Sequence, residues 1–278
     1  MKVVVLGSNG MAGHIVTRYL RQCGHEVITM ARTSAVYEFD IENPIMVNAF
    51  VASMPDVDYV INCIGLLVKD SISRPDRAAY INAWFPHFLE NAFKEIRTRV
   101  IHLSTDCVFN GSKGNYVETD LHTETNAYGK SKSFGEINNN KDITFRMSII
   151  GPELKRSGTG LMNWLMTNPS KEVFGWVNAH WNGITTLQLA KSINDYMMDP
   201  SFTGVYHLVS PKSVSKFELL SLINEVFSLD KTVIRTFGPK PVNKILVDTR
   251  CLVKNSIPAY NIQLEELKRF MEDRDAGR

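Results

Sequence analysis

The stretch Lys2-Val3-Val4-Val5-Leu6-Gly7-Ser8-Asn9-Gly10-Met11-Ala12-Gly13 decides how the rest of the chain is read. Its first five residues form a short β-branched run, the pattern of a strand. Three glycines follow, and then Ile15, Val16, Tyr19, Leu20 and Cys23 recur at helical spacing until Gly24, which is placed to end that helix. A strand that turns through glycines directly into a helix leaves backbone N–H groups and the positive end of the helix dipole facing the turn. A pyrophosphate fits there.

Outward from this opening, similar runs recur at Lys2 to Leu6, His25 to Met30, Tyr37 to Phe39, Tyr59 to Cys63, Val100 to Leu103 and Ile143 to Ser148, with helical patterns between them. Asn43 before Pro44 reads as an N-cap and first-turn proline. The alternation predicts an α/β fold, a Rossmann-like doubly wound parallel sheet over residues 1–150. After Gly151-Pro152 the order loosens, and residues 151–278 read mainly as a smaller α/β substrate-binding lobe, with some segments returning to the first domain. Its expected pieces are a helix near Thr186 to Met198, a strand Val205 to Val209, a helix near Ser215 to Phe227, a strand Val233 to Phe237 and a last helix from Leu264. The tail 272–278 reads as frayed.

At 278 residues, one large domain with a second lobe is the natural size. The hydrophobic share of 44%, charged share of 22% and net charge of +2 describe an ordinary globular protein with no polyanion-binding face, which argues against nucleic acid as a partner. Cys23, Cys63, Cys107 and Cys251 fall singly, without a CxxC pair, and read as thiols in a reducing cytoplasm. The histidines form no ligand-spaced pair, so no metal is expected. The apolar start is too short for a signal peptide, and no apolar stretch reaches the roughly 18 residues of a membrane span. The expectation is a cytoplasmic protein with no membrane partner.

Gly7, Asn9, Gly10, Met11 and Gly13 are the candidate pyrophosphate cradle of a dinucleotide. Where a NAD site usually has an acidic residue, about 20 residues on, this chain has Met30-Ala31-Arg32. A guanidinium pairs well with a 2′-phosphate, so NADPH is the expected cofactor, with NADH as the alternative. Asp40 either hydrogen-bonds the adenine or begins a turn. Asn62, Cys63, Ile64 and Gly65 end the fourth strand, where the backbone can approach the cofactor, although Asn62 could instead brace the sheet end.

Two segments then carry the chemistry: Ser104-Thr105-Asp106 after the fifth strand, and Tyr128-Gly129-Lys130-Ser131-Lys132 at a helix start. Four residues apart, Tyr128 and Lys132 share a helix face. An ammonium beside a phenol is expected to lower its pKa from about 10. Tyr128 can then pass a proton to a carbonyl oxygen while Thr105 holds that oxygen by its hydroxyl. Ser104, Tyr128 and Lys132 are also counted on the cofactor side. Metal-free carbonyl reduction by hydride is the chemistry this pattern serves.

These residues resemble the extended short-chain dehydrogenases, and within them the dTDP-4-dehydrorhamnose reductase-like family. The resemblance rests on Leu103 to Gly111 with Gly114 to Asp120, on Tyr128 to Lys132 with Gly135-Glu136, on Ile81-Asn82-Ala83 with Pro86, on Gly183 to Thr186 with Leu189-Ala190, and on Gly204 to Leu208. It implies NADPH-dependent reduction of the C4 ketone of a nucleotide-linked 4-keto-6-deoxy sugar for a bacterial surface polysaccharide, and a homodimer. It implies Thr105, Tyr128 and Lys132 as the triad, Gly7, Gly10, Gly13 and Asn82 on the cofactor side, and Thr105, Asp106, Cys107, Val108, Phe109, Arg146 and Ser148 on the substrate side. Cys107 stands where the family usually has tyrosine, and Met147-Ser148-Ile149-Ile150 occupies a segment that carries a tryptophan in rhamnose-forming members. The sugar therefore stays open between dTDP-rhamnose and a UDP-linked N-acetylated hexose. Trp176 and Trp181 are either a replacement aromatic wall or core packing. A UDP- or GDP-sugar 4-reductase, an epimerase and a non-catalytic NADP-binding regulatory subunit are the rival readings.

Overall fold

The computed structural model describes residues 1–53, 56–155, 158–251 and 257–273; part of the tail expected to fray lies outside them. The first half runs β1 (Lys2–Leu6), α1 (Met11–Gln22), β2 (Glu26–Ala31), β3 (Tyr37–Glu38), α2 (Pro44–Ser53), β4 (Tyr59–Asn62), α3 (Val68–Ser73), α4 (Pro75–Ala78), a π-helical turn (Ala79–Trp84), α5 (Phe85–Ala92), β5 (Arg99–Thr105), α6 (Ala127–Phe134) and β6 (Ile143–Met147). The second half adds β7 (Ile149–Ile150), α7 (Leu161–Thr167), β8 (Glu172–Trp176), β9 (Ala179–Trp181), β10 (Ile184–Thr185), α8 (Thr186–Met198), β11 (Gly204–His207), β12 (Val214–Ser215), α9 (Lys216–Phe227), β13 (Thr232–Thr236), β14 (Val242–Asn243) and α10 (Tyr260–Glu272).

Seven strands form one sheet in the order β11-β6-β5-β4-β1-β2-β3, every pair parallel. This is the doubly wound α/β architecture expected from the sequence. Alternation along β1 shows why it holds. Val3 and Val5 enter a core with Ile15 and Val16 of α1, Ile193 of α8 and Leu267 of α10, whereas Val4 and Leu6 enter the opposite core with Val47 and Phe50 of α2 and Leu89 of α5. A strand covered by helices on both faces needs apolar side chains at every position, and each fully buried one contributes about 1.5–3 kcal/mol.

Asn43 caps α2 as expected, its side-chain oxygen accepting from the N–H groups of Ile45 and Met46. Strand order reverses between β1 and β4, and such a switch point opens a crevice at the carboxyl ends of the strands. The strand expected at Val205 to Val209 is β11, which sits at the edge of this main sheet rather than outside it. The remaining strands make small sheets, β12-β9-β14, β13-β8 and β10-β7. The last helix starts at Tyr260, four residues before the expected Leu264, with Gln263 binding back to the Pro258 carbonyl and to Thr185 N–H.

Candidate active site

The turn after β1 is built for close approach. Gly10 N–H donates to Gly7 O at 2.9 Å, and a Cβ on Gly13 would lie 2.2 Å from that same oxygen, so no side chain fits at position 13. Asn9 ties the turn to the end of β2 by donating to Thr33 O at 2.5 Å. Met11 begins α1, whose N-cap, Gly10, offers no side chain to its first N–H groups. A cradle of main-chain donors with room for an anion is the result. Arg32 is exposed just beyond β2, and no carboxylate occupies that strand end. The residues present therefore fit a dinucleotide with a 2′-phosphate.

Across the switch point, Cys63 pairs its N–H with Leu6 O, and Ile64 and Gly65 follow. Burial pushes the Cys63 thiol up to about 12, so it stays a neutral wall. Asn62 is wholly buried; it accepts from Ile64 N–H and contacts His102 Nδ1 at 3.2 Å, which is the bracing role. Asp40 begins a turn, accepting from Glu42 N–H through its side chain and Asn43 N–H through its carbonyl.

Thr105 ends β5 and caps the single 3-10 turn Asp106–Val108, accepting from Cys107 N–H at 3.1 Å and donating to Asp106 Oδ1 at 3.2 Å. Asn126 caps α6 by accepting from Gly129 N–H, which sets Tyr128 and Lys132 on its first turns. A Cβ at position 129 would lie 2.5 Å from Cys107 O, so Gly129 is what lets α6 press against the Thr105 turn. Tyr128 is thereby brought beside Thr105, close enough for its hydroxyl to influence the phenol.

The electrostatics differ from expectation. The Tyr128 phenol lies well above its ordinary value, because burial and the neighbouring Cys107 disfavour the phenolate more than the nearby Thr105 hydroxyl favours it. Lys132 does not offset this, since its Nζ donates to Leu103 O at 2.7 Å, with His102 Nε2 at 3.4 Å. Burial brings that ammonium down to about 8. At neutral pH the Tyr128 phenol keeps its proton.

Several sequence-derived candidates face elsewhere. Arg146 is 2% exposed and forms a bidentate pair with Glu136, Nε to Oε1 at 2.8 Å and Nη2 to Oε2 at 2.5 Å. It also donates to His207 Nε2 and His122 Nε2, both at 2.8 Å, so it belongs to a buried network and not to the cleft surface. Ser104 donates to the same Glu136 at 2.6 Å instead of facing the cofactor side. Val108 and Phe109 are wholly buried with Tyr116 and Leu246, Phe109 stacking on Tyr116 at 4.1 Å between centroids. Asn82, in the π-helical turn, accepts from Leu66 N–H and donates to Leu66 O and Ser131 Oγ; it holds the loop after β4 against α6. Ser148 accepts from Trp181 Nε1 at 2.8 Å, and Trp181 is buried against Tyr260, so packing is its role here, whereas Trp176 is partly exposed beside Gly238.

Sequence reading missed Lys216, Lys244 and Glu124. Lys216 Nζ lies over the Trp181 ring at 5.1 Å and interacts with Asp106 and Cys107. Lys244 Nζ is 3.4 Å from Glu124 and interacts with the same two residues. Both lysines come from far along the chain, and no local pattern announces them. Burial raises the Asp106 carboxyl against the pull of these two ammoniums, and it pushes the Cys107 thiol up to about 12. No helix among the described residues is long and apolar enough to cross a membrane, and no group of three or more His, Cys, Asp or Glu residues there is arranged to hold a metal ion.

A glycine turn at the switch point, with a tyrosine, a threonine and a lysine converging at the adjacent strand ends, defines a dinucleotide-dependent short-chain reductase architecture. The chain belongs to the family described as RmlD substrate binding domain, which matches residues 1–245. It is 29% identical over 230 residues to dTDP-4-dehydrorhamnose reductase of Burkholderia thailandensis, covering 77% of this chain and 74% of that protein. It is 24% identical over 258 residues to methionine adenosyltransferase 2 subunit beta of Bos taurus, covering 87% and 76%. The fold matches the structure of dTDP-4-dehydrorhamnose reductase from Bacillus anthracis in complex with NADP, with a TM-score of 0.83 at 21% identity over 98% of this chain and 99% of that one.

Proposed function

We propose that the chain uses NADPH to reduce the C4 ketone of a nucleotide-linked 4-keto-6-deoxy sugar. The observation that carries this reading is the placing of Tyr128 and Lys132 on the first turns of α6, pressed against the Thr105 turn through Gly129, on the same sheet whose first strand runs into the glycine turn. NADPH, when bound, supplies the hydride. Tyr128 gives its proton to the carbonyl oxygen, and Thr105 Oγ1 holds that oxygen in place. Lys132, one helical turn from Tyr128 and anchored on Leu103 O, is the residue we assign to the nicotinamide ribose. Gly7, Asn9, Gly10, Met11 and Gly13 hold the pyrophosphate, Arg32 the 2′-phosphate, and Cys63, Ile64 and Gly65 line the nicotinamide side.

Residues 1–150 serve the cofactor, and residues 151–278 mainly serve the sugar, with β11 and α8 returning to the main sheet. Asp106 and Cys107 line the sugar side. We assign this reaction to the cytoplasm and to surface polysaccharide synthesis, and the assembly to a homodimer.

Mixing the protein with NADPH and a panel of dTDP-, UDP- and GDP-linked 4-keto-6-deoxy sugars, while following NADPH absorbance and identifying products, tests the reading. Consumption with at least one sugar is expected. If NADPH binds and no sugar consumes it, the reductase reading falls and a regulatory role, of the kind that the likeness to methionine adenosyltransferase 2 subunit beta raises, replaces it.

A further inference from the structure

Three lysines surround the Thr105 turn, and two of them are already answered. Lys132 donates to Leu103 O, and Lys244 has Glu124 at 3.4 Å. Lys216 differs. Among the described residues its Nζ donates no hydrogen bond, and no carboxylate oxygen lies within ion-pair distance of it. It is partly exposed, at the first position of α9, and rests on the Trp181 ring, which is fixed in turn by Ser148 and Tyr260. Its titratable neighbours are Asp106 and Cys107, the same two residues that act on Tyr128.

Neither neighbour pairs with it directly: the Asp106 carboxyl accepts from the Thr105 hydroxyl and lies beyond ion-pair distance of the Lys216 ammonium, and the Cys107 thiol is pushed up to about 12 by burial. Burial accordingly lowers the Lys216 ammonium to about 8. A partly buried ammonium whose N–H groups meet no acceptor gains a charge-assisted hydrogen bond when an anion arrives. The aromatic ring beneath it positions the ammonium while leaving its N–H donors unused.

We propose that Lys216 is the anion-recognising residue of the sugar side of the cleft, taking an anionic oxygen group of the substrate. The group is either the diphosphate of the nucleotide sugar or a carboxylate on the sugar itself. This rests on the cleft being a nucleotide-sugar site, as proposed above, but it does not require turnover. Charge recognition here complements the neutral wall formed by Cys107.

The test is calorimetric binding to the full chain saturated with NADP+, comparing wild type with Lys216→Met and Lys216→Arg. The probes are dTDP, UDP-glucose and UDP-glucuronate. Lys216→Met is expected to weaken at least one probe about tenfold or more, and Lys216→Arg to keep it within about threefold, as a charge-assisted hydrogen bond worth about 1.5–3 kcal/mol implies. A loss seen with dTDP assigns the diphosphate; a loss confined to UDP-glucuronate relative to UDP-glucose assigns the sugar carboxylate. The proposal is overturned if Lys216→Met binds every probe within twofold of wild type, or if no probe binds the wild type. Because the readout is binding, a protein that binds these probes but reduces no ketosugar sinks the reductase reading alone. NADP+ affinity, measured alongside, reports whether Lys216→Met is correctly folded.

Discussion

Two polar regions lie side by side on β5, α6 and β6, and they treat buried charge in opposite ways. Around Thr105, Tyr128 and Lys132, groups are desolvated and retain hydrogen-bonding capacity, with the phenol raised and the ammonium lowered. Around Glu136 and Arg146, donors and acceptors are matched. Arginine only donates, so His207 and His122 must each accept through Nε2 and carry their proton on Nδ1. The contacts agree, because His207 Nδ1 faces the Val247 carbonyl at 2.9 Å and His122 Nδ1 faces Ser133 Oγ. Burial opposes the charge on Glu136, but Arg146 outweighs it and leaves the carboxyl below its ordinary value. The first region is the one to which we assign the chemistry, and the second, with its hydrogen bonds matched, holds it in place. Ser104, bonded to Glu136, is the residue next to Thr105 and joins the two.

Substitutions sharpen this contrast. Tyr128→Phe removes the proton donor from the first region, and we expect turnover to fall by about 10²–10⁴-fold with NADPH affinity unchanged. Full turnover in that variant, read by NADPH consumption, would take Tyr128 out of the mechanism. Arg146→Leu leaves Glu136 buried without its partner, which costs about 3–5 kcal/mol of stability. Denaturant unfolding reads this loss directly, and a change below about 1 kcal/mol would mean that the network is not the support described here.

Acid provides a gentler probe. His207 is held down to about 4, first by burial and then by Arg146, against about 6.5 in the unfolded chain. The unfolded state therefore takes up this proton near pH 6.5 while the native state resists it until about pH 4. The stability involved is fully present above pH 6.5 and is lost as pH falls through that window. His122, also lowered by burial, adds in the same direction. The thermal midpoint should drop between pH 6.5 and 4, and His207→Gln, which keeps an acceptor for Arg146, should flatten that drop. An equal slope in the variant would place the acid sensitivity elsewhere.

What was legible in the sequence was local. The β-branched runs, the glycines after β1, the cap at Asn43 and the four-residue spacing of Tyr128 and Lys132 each depend on neighbours a few residues away. What was misread depended on distance. Arg146 alone looks like a cleft residue, because nothing near it announces that Glu136, His122 and His207 will enclose it from three other segments. Val108 and Phe109 continue a recognisable loop motif, yet Leu246, more than a hundred residues on, buries them. The lowered phenol pKa failed for a related reason: helical spacing put Lys132 near Tyr128 but could not show that Leu103 O would claim its ammonium. Lys216 and Lys244 were invisible on the same grounds.

The edge position of β11 bears on how the molecule can be divided. His207 reaches Arg146 across 61 residues of chain, and β11 supplies the last strand beside β6. A fragment cut at Ile150 would end before that strand arrives. It would present β6 as a bare edge, with one guanidinium nitrogen deprived of its imidazole, and bare edges recruit other chains. The first half thus contains the whole glycine turn after β1 without being a piece that can safely be excised, and during synthesis the emerging sheet stays open on that flank until about residue 207 has been made.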